Sequence, residues 1–352
     1  MKRINTAGAL QLLGPVALIA LTGLMGSFVS HARALEFIEA LVSVAIVVAL
    51  YVFVGNSGVL SFGQIGFFIV GAYAAGEMTV PADAKNGVLP NVFSVIQDHT
   101  IGNEWSLVLA AGIGGAYALV VGIPLMRLSG LAAAIATFAG LEITHNIVRN
   151  WEQIGPGPLT LSTVPETTDL WQATLGAIAV VWVAFAYQRS PLGRKLRAAR
   201  EDPFAAQAAG IDIHRQRLWA FILSGAMAGF AGGLYVHYLG TLNVEDVYLE
   251  LTFLTLAMLV VGGIGSLSGA VVGALVVSGL DSFLGDAENG EVSWLHAPDG
   301  TRLVAVAAFM AVVLVFLPRG LTGGIGPAIP RALRRVGRSG SAPWRTAPRR
   351  PE

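Results

Sequence analysis

Apolar residues in this chain fall in long, nearly unbroken runs, not in the alternating or three-and-four spacing of half-buried strands and surface helices. The runs lie near 7–28, 34–54, 59–80, 105–126, 129–148, 169–188, 217–239, 251–265, 267–284 and 302–317. A helix needs about 20 apolar residues to cross a bilayer core, and several of these runs approach or reach that length. The pattern predicts an all-α membrane protein with about ten transmembrane helices. Membrane-barrel strands alternate, and these segments do not.

Composition agrees with the pattern. The 352 residues are 54% hydrophobic and only 12% charged, and a mean hydropathy of +0.66 leaves too little polar surface for a water-soluble globule. The 43 glycines suit closely packed membrane helices. The absence of cysteine excludes disulfides, thiolate metal sites and cysteine nucleophiles.

Formal net charge is zero, but its distribution is informative. Lys2 and Arg3 precede the first run. Arg189, Arg194, Lys195, Arg197, Arg200, Arg215 and Arg217 follow the sixth. Arg319, Arg331, Arg334, Arg335, Arg338, Arg345, Arg349 and Arg350 follow the last. Basic loops stay in the cytoplasm, and the three clusters share one side if "VVGGIGSLSGAVVG", 260–273, separates two spans. The opposite loops carry Asp83, Asp98 and Glu104, and Asp286, Glu288, Glu291 and Asp299. Both termini are therefore expected in the cytoplasm, with a transmembrane domain over 1–322, a principal cytoplasmic loop at about 189–216 and a basic, disordered tail over 323–352. Ala32-Arg33-Ala34 resembles a signal-peptide cleavage site, but the first run is long for a signal peptide and reads as a retained helix.

The cytoplasmic loop has its own grammar. Asp202 suits an N-cap, Pro203 the first helical position and Gly210 the left-handed residue that ends a helix, which leaves about two turns over "FAAQAA". So short a helix needs a packing partner. Either it packs on its own protein, or it docks a cytoplasmic partner through Phe204 and its small residues.

The stretch "GRKLRAAREDPFAAQAAGIDIHRQRLWAFILSGAMAGFAGGLYVHYLG", 193–240, closely resembles the permeases of branched-chain amino-acid ABC transporters of the LivM type. So do "LSFGQIGFFIVGAYAAG" (60–76), "LSGLAAAIATFAGLEI" (128–143) and "VVGGIGSLSGAVVGA" (260–274), so that the likeness covers about 45–322. The resemblance implies a coupling helix seated on an ATPase, with Glu201, Asp202, Ala205, Ala206, Gly210 and Ile211 at the matching positions and Pro203 and Phe204 among them. It further implies a bacterial inner-membrane importer with a second homologous permease subunit, two cytoplasmic ATPase subunits that hydrolyse the ATP, and an extracytoplasmic substrate-binding protein. Leucine, isoleucine and valine are the implied cargo; permeases for urea, amides or other small solutes share the glycine-rich segments. After the fifth span the family commonly has a Gly-Gly pair, whereas this chain reads "QIGPGPLTLST" from Gln153.

Gly225, Gly229 and Gly233 recur every four residues, as do Gly269 and Gly273. They form smooth ridges for close helix packing, the alternative being pore lining. "GIGSLSG", within 262–269, either turns tightly between spans or forms irregular backbone facing a water-filled cavity. Glu142, His145 and Arg149 share about 60° of one helical face. They either line a translocation path, or snorkel and bond to neighbouring helices. Gln64, a further candidate for the path, and Asp281 stand alone in their spans, where a backbone carbonyl is the expected partner. "EITH" has one half of a di-iron helix motif without a second copy. With no Gly-Lys-Ser/Thr loop, no His-Glu-x-x-His helix and no convergent acid, base and nucleophile, the chain reads as a non-enzyme that binds no cofactor itself. Its surroundings are membrane lipid, with no case for nucleic acid. A secondary transporter, the alternative class, would need coupling-ion carboxylates near the midplane.

Overall fold

The computed structural model describes residues 6–290, 298, 300–317 and 319–323. The expected tail therefore lies, apart from Gly323, outside the described residues. The fold is all-helical: α1 (Thr6–Gly26), α2 (His31–Ser57), α3 (Gln64–Thr79), α4 (Ala82–Val88), α5 (Ser94–Asp98), α6 (Asn103–Leu125) and α7 (Gly130–Asn150) form the first half. The second half contains α8 (Leu170–Arg189), α9 (Pro191–Glu201), α10 (Pro203–Ala208), α11 (Ile213–Leu239), α12 (Leu249–Gly262), α13 (Leu267–Glu288) and α14 (Thr301–Phe316). Six helices among the described residues are long and apolar enough to cross a membrane: α2 from Arg33, α6, α7, α8, α11 and α13.

The packing defines two ends. The basic end gathers the C-termini of α2, α6, α8, α12 and α14 with α9, α10 and the N-termini of α7, α11 and α13. The acidic end gathers the loops around α4 and α5, 151–169 and 240–248. Those loops are tied by backbone bonds: Leu161 and Leu242 exchange N–H···O bonds of 2.8 Å, Phe93 N donates to Gln153 O at 3.1 Å, and Ile101 N donates to Met78 O at 2.9 Å. The fully enclosed Lys85 staples α4 to α5 through the Ile96 carbonyl at 2.7 Å and the His99 carbonyl. The divergent "QIGPGPLTLST" loop belongs to this acidic end, with Gly155 seated beside the carboxyl of buried Glu77.

At the centre α11 packs against α3 and α6 through backbone, as its glycines predict, and against α2 through side chains. A side chain at Gly229 would run into the Ala110 carbonyl and Gly114 on α6, and Gly71 of α3 comes against the same residue. Gly225 meets Gly114 and Ala118, and Gly233 meets Leu107 and Ala110. Phe221 then locks α2 and α3 to α11 by edge-to-face contacts of 5.1 Å with both Phe53 and Phe67. All three rings are buried.

The segment 262–269 takes the first of its two readings. Gly263, with φ of 116°, turns the chain between α12 and α13, and Ser266 caps α13 by accepting from Gly269 N at 2.9 Å. Gly269 and Gly273 pack against Gly262 inside this hairpin. The chain after α14 returns onto the same turn, Leu321 N donating to Val261 O at 2.8 Å and Thr322 Oγ1 to Gly262 O at 2.8 Å. One departure concerns the 59–80 run: its helix starts only at Gln64, and 58–63 is an irregular loop.

Candidate functional site: a docking helix and a polar face

The basic-end loop forms two short helices in series. Ser190 opens α9 by accepting from Gly193 N at 3.1 Å, with Pro191 at the first position. Leu196 and Ala199 are buried, while Arg194, Lys195 and Arg197 face outward. Arg200 reaches from α9 to the Gly55 carbonyl in the last turn of α2, where a helix C-terminus favours a cation. The basic-end loop is thereby fastened to one of the central helices.

Asp202 then caps α10, its Oδ1 accepting from Ala205 N at 3.0 Å. Pro203 follows at the first position. The helix stops in a Schellman motif: Ile211 N donates to Ala206 O at 3.0 Å and Gly210 N to Gln207 O at 2.9 Å, with Gly210 at φ of 78°. Ala206 is buried with Ala199, Ile213 and the half-buried Ile211. That is the helix's whole anchorage: Glu201, Asp202, Pro203, Ala205 and Gly210 are exposed, and Phe204 is 83% exposed.

The polar candidates of α7 are not brought together as a trio. Glu142 is exposed and its carboxylate accepts from Asn146 Nδ2 at 2.7 Å. His145 is 4% exposed and stacks on Tyr248 with ring centroids 4.0 Å apart. Glu245, in the loop before α12, joins His145 and Arg149: its oxygens lie 3.4 Å from His145 Nε2 and 3.1 Å from Arg149 Nη1. The sequence reading missed Glu245; the available signal was a carboxylate pair, Glu245 and Asp246, in an outer loop facing the α7 exit. Arg149 and Glu245 are both about half exposed, so their pairing adds little stability.

Gln64 and Asp281 also depart from the expected carbonyl partners. Gln64 is 2% exposed and neither of its amide atoms has a hydrogen-bond partner. Asp281 is held by Arg302 of α14 in a bidentate pair, both contacts 2.6 Å. Among the described residues, no group of three or more His, Asp or Glu side chains is placed to hold a metal ion.

Comparison with known proteins places this architecture. The high-affinity branched-chain amino acid transport system permease protein LivM of Escherichia coli (strain K12) is 28% identical over 263 residues, covering 65% of this chain and 58% of that protein. The probable branched-chain amino acid transport permease protein LivH of Methanocaldococcus jannaschii is 31% identical over 146 residues, 38% of this chain and 42% of its own length. The guanosine ABC transporter permease protein NupQ of Bacillus subtilis (strain 168) is 25% identical over 236 residues, 62% of this chain and 72% of its own. The chain thus spans 58% of the length of the LivM relatives it matches. No solved structure gives a significant match. Residues 37–317, nearly all of the helical bundle, match the family described as branched-chain amino acid transport system / permease component, and the chain belongs to that family.

Proposed function

We propose that the chain is a membrane permease subunit of an ATP-driven importer in a bacterial inner membrane, with branched-chain amino acids as its cargo. The observation that carries the reading is α10: a helix capped at both ends, anchored by Ala206 alone, and presenting an 83% exposed phenylalanine at the basic end of a hydrophobic bundle. Energy arrives there from separate ATPase subunits, and this chain binds no ATP. Arg200 on the Gly55 carbonyl offers a mechanical link from the docking loop into α2.

In this reading ten helices cross the bilayer, the six long ones together with α1, α3, α12 and α14. The basic end and both termini lie in the cytoplasm. The acidic end receives an extracytoplasmic substrate-binding protein, and a second homologous permease covers the exposed apolar sides left by lipid. The Arg149–Glu245 pair beside His145 stands at the outer mouth, where it can exchange partners with the two charged ends of an amino acid.

The test is ATP-driven uptake into proteoliposomes holding both permeases, the ATPase subunits and the binding protein, with leucine, isoleucine, valine, urea and guanosine as cargoes. Leucine uptake that requires the ATPase subunits supports the reading. Uptake with no ATPase present would make the chain a secondary transporter. Import of guanosine alone, the cargo named for NupQ, would replace the cargo and leave the importer.

A further inference from the structure

The α2–α3 connection turns back into the bundle instead of lying along its end. Gln64, the first residue of α3, lines a small cavity with Ile46, Leu50, Phe62, Ser61, Thr252 and Thr255. Phe62 N donates to Thr137 Oγ1 at 3.3 Å. Leu50, Thr137 and Thr255 each lie seven residues from the basic-end terminus of their helices, at Ser57, Gly130 and Gly262. At 1.5 Å per residue that is about 10 Å inside the bundle. α3 is therefore a shortened helix whose N-terminus opens at membrane depth, the arrangement in which free N–H groups and the positive end of the helix dipole face an anionic group.

No side chain caps that N-terminus, where Gly63 occupies the capping position. The independent observation is Gln64 itself, 2% exposed, facing the cavity with both amide atoms unmatched. A dry interior disfavours an amide left without partners. Across from it, the hydroxyls of Thr252 and Thr255 donate to the carbonyls of Tyr248 at 2.6 Å and Leu251 at 2.7 Å. Their lone pairs remain to accept. One wall thus offers N–H donors and the other oxygen acceptors.

We propose that this cavity holds the zwitterionic head of a transported α-amino acid, the carboxylate on the α3 N-terminus and Gln64 Nε2, the ammonium on Gln64 Oε1 and the threonine hydroxyls. The site recognises the head group common to leucine, isoleucine and valine and is indifferent to the side chain. The cavity measures about 10 Å³, room for one water, so binding a head group requires it to widen, with Phe62 the lining side chain whose displacement would do so. The Phe62 ring wedges between Phe138 and Phe253, at centroid distances of 6.0 and 6.1 Å. This assignment rests on the amino-acid importer reading above.

The experiment uses the complete complex in proteoliposomes, with leucine uptake and the melting temperature measured for wild type, Gln64→Met, Gln64→Glu and Thr255→Val. Gln64→Met removes an unmatched buried amide at nearly constant volume. It should raise the melting temperature by a few degrees while uptake falls at least tenfold. Gln64→Glu should lower uptake further by repelling the carboxylate, and Thr255→Val should lower it severalfold with melting unchanged. Wild-type uptake in Gln64→Met and Gln64→Glu would overturn the subsite and leave the importer reading standing. Uptake losses that only track lowered melting would assign these residues to packing and overturn it equally. If the wild-type complex carries guanosine and no amino acid, the importer's cargo falls first and the subsite with it.

Discussion

α10 and the middle of α11 are both built from small residues, and only one of them has its partner within the chain. In α11, Gly225, Gly229 and Gly233 lie against Gly114, Ala110 and Gly71, so that three helices meet backbone to backbone. In α10, Ala206 alone is buried, and the remaining face of Phe204, Ala205 and Ala208 is open. Small residues in the first case mark a contact already made. In the second they leave an open surface that close approach by a partner would cover, as the proposed function requires of a six-residue helix with one buried alanine. In the proposed function, the difference separates the bundle's architecture from its connection to an energy source.

The largest expected effect comes from closing the contact that exists. Gly229→Val places two methyl groups against the Ala110 carbonyl and the Gly114 backbone, where neither side can yield as a flexible side chain would. A loss of about 3 kcal/mol or more is expected. The measurement is the amount of monodisperse permease recovered from membranes, which should fall to near zero. Normal recovery would mean that α6 and α11 are not packed as described.

Ala205→Glu makes the opposite cut. Ala205 is exposed, so stability should stay within about 0.5 kcal/mol and the protein should reach the membrane. ATP hydrolysis stimulated by the binding protein should fall at least tenfold, because a charge then stands in the docking face. Unchanged stimulated hydrolysis would show that this face meets nothing.

The smallest effect concerns the cap. Asp202→Ala removes the acceptor that holds Ala205 N at 3.0 Å, worth about 1 kcal/mol to helix formation. Hydrogen exchange should show the amides of α10 opening roughly fivefold faster, with α11 unaffected. Equal exchange in variant and wild type would mean that α10 is held by contacts other than its caps.

Much of the architecture was legible because it is written locally. Apolar runs gave helical segments at the observed places, and Asp202, Pro203 and Gly210 gave α10 with its caps, since each acts within four residues of itself. The α11 glycine ridge was legible for the same reason, though not its partners on α3 and α6. What the sequence hid depends on distant residues meeting. Glu245, from the loop before α12, and not Glu142 of the same helix, meets His145 and Arg149. Asp281 finds Arg302 across a helix boundary. The late start of α3 was hidden because "VLSF" before it is apolar enough to pass for helix, while the irregular backbone there is satisfied by hydroxyls, among them Thr137 from α7.

The central claim is that α10 is seated on a cytoplasmic ATPase, and Phe204 reports on it most directly. The chain has no cysteine, so Phe204→Cys carries a single thiol at the exposed tip of α10. In inside-out membrane vesicles containing the permeases alone, a membrane-impermeant maleimide should label it readily; adding the ATPase subunits should protect it at least tenfold. Labelling at the same rate with and without the ATPase, or labelling from the outside of intact cells, would contradict the account.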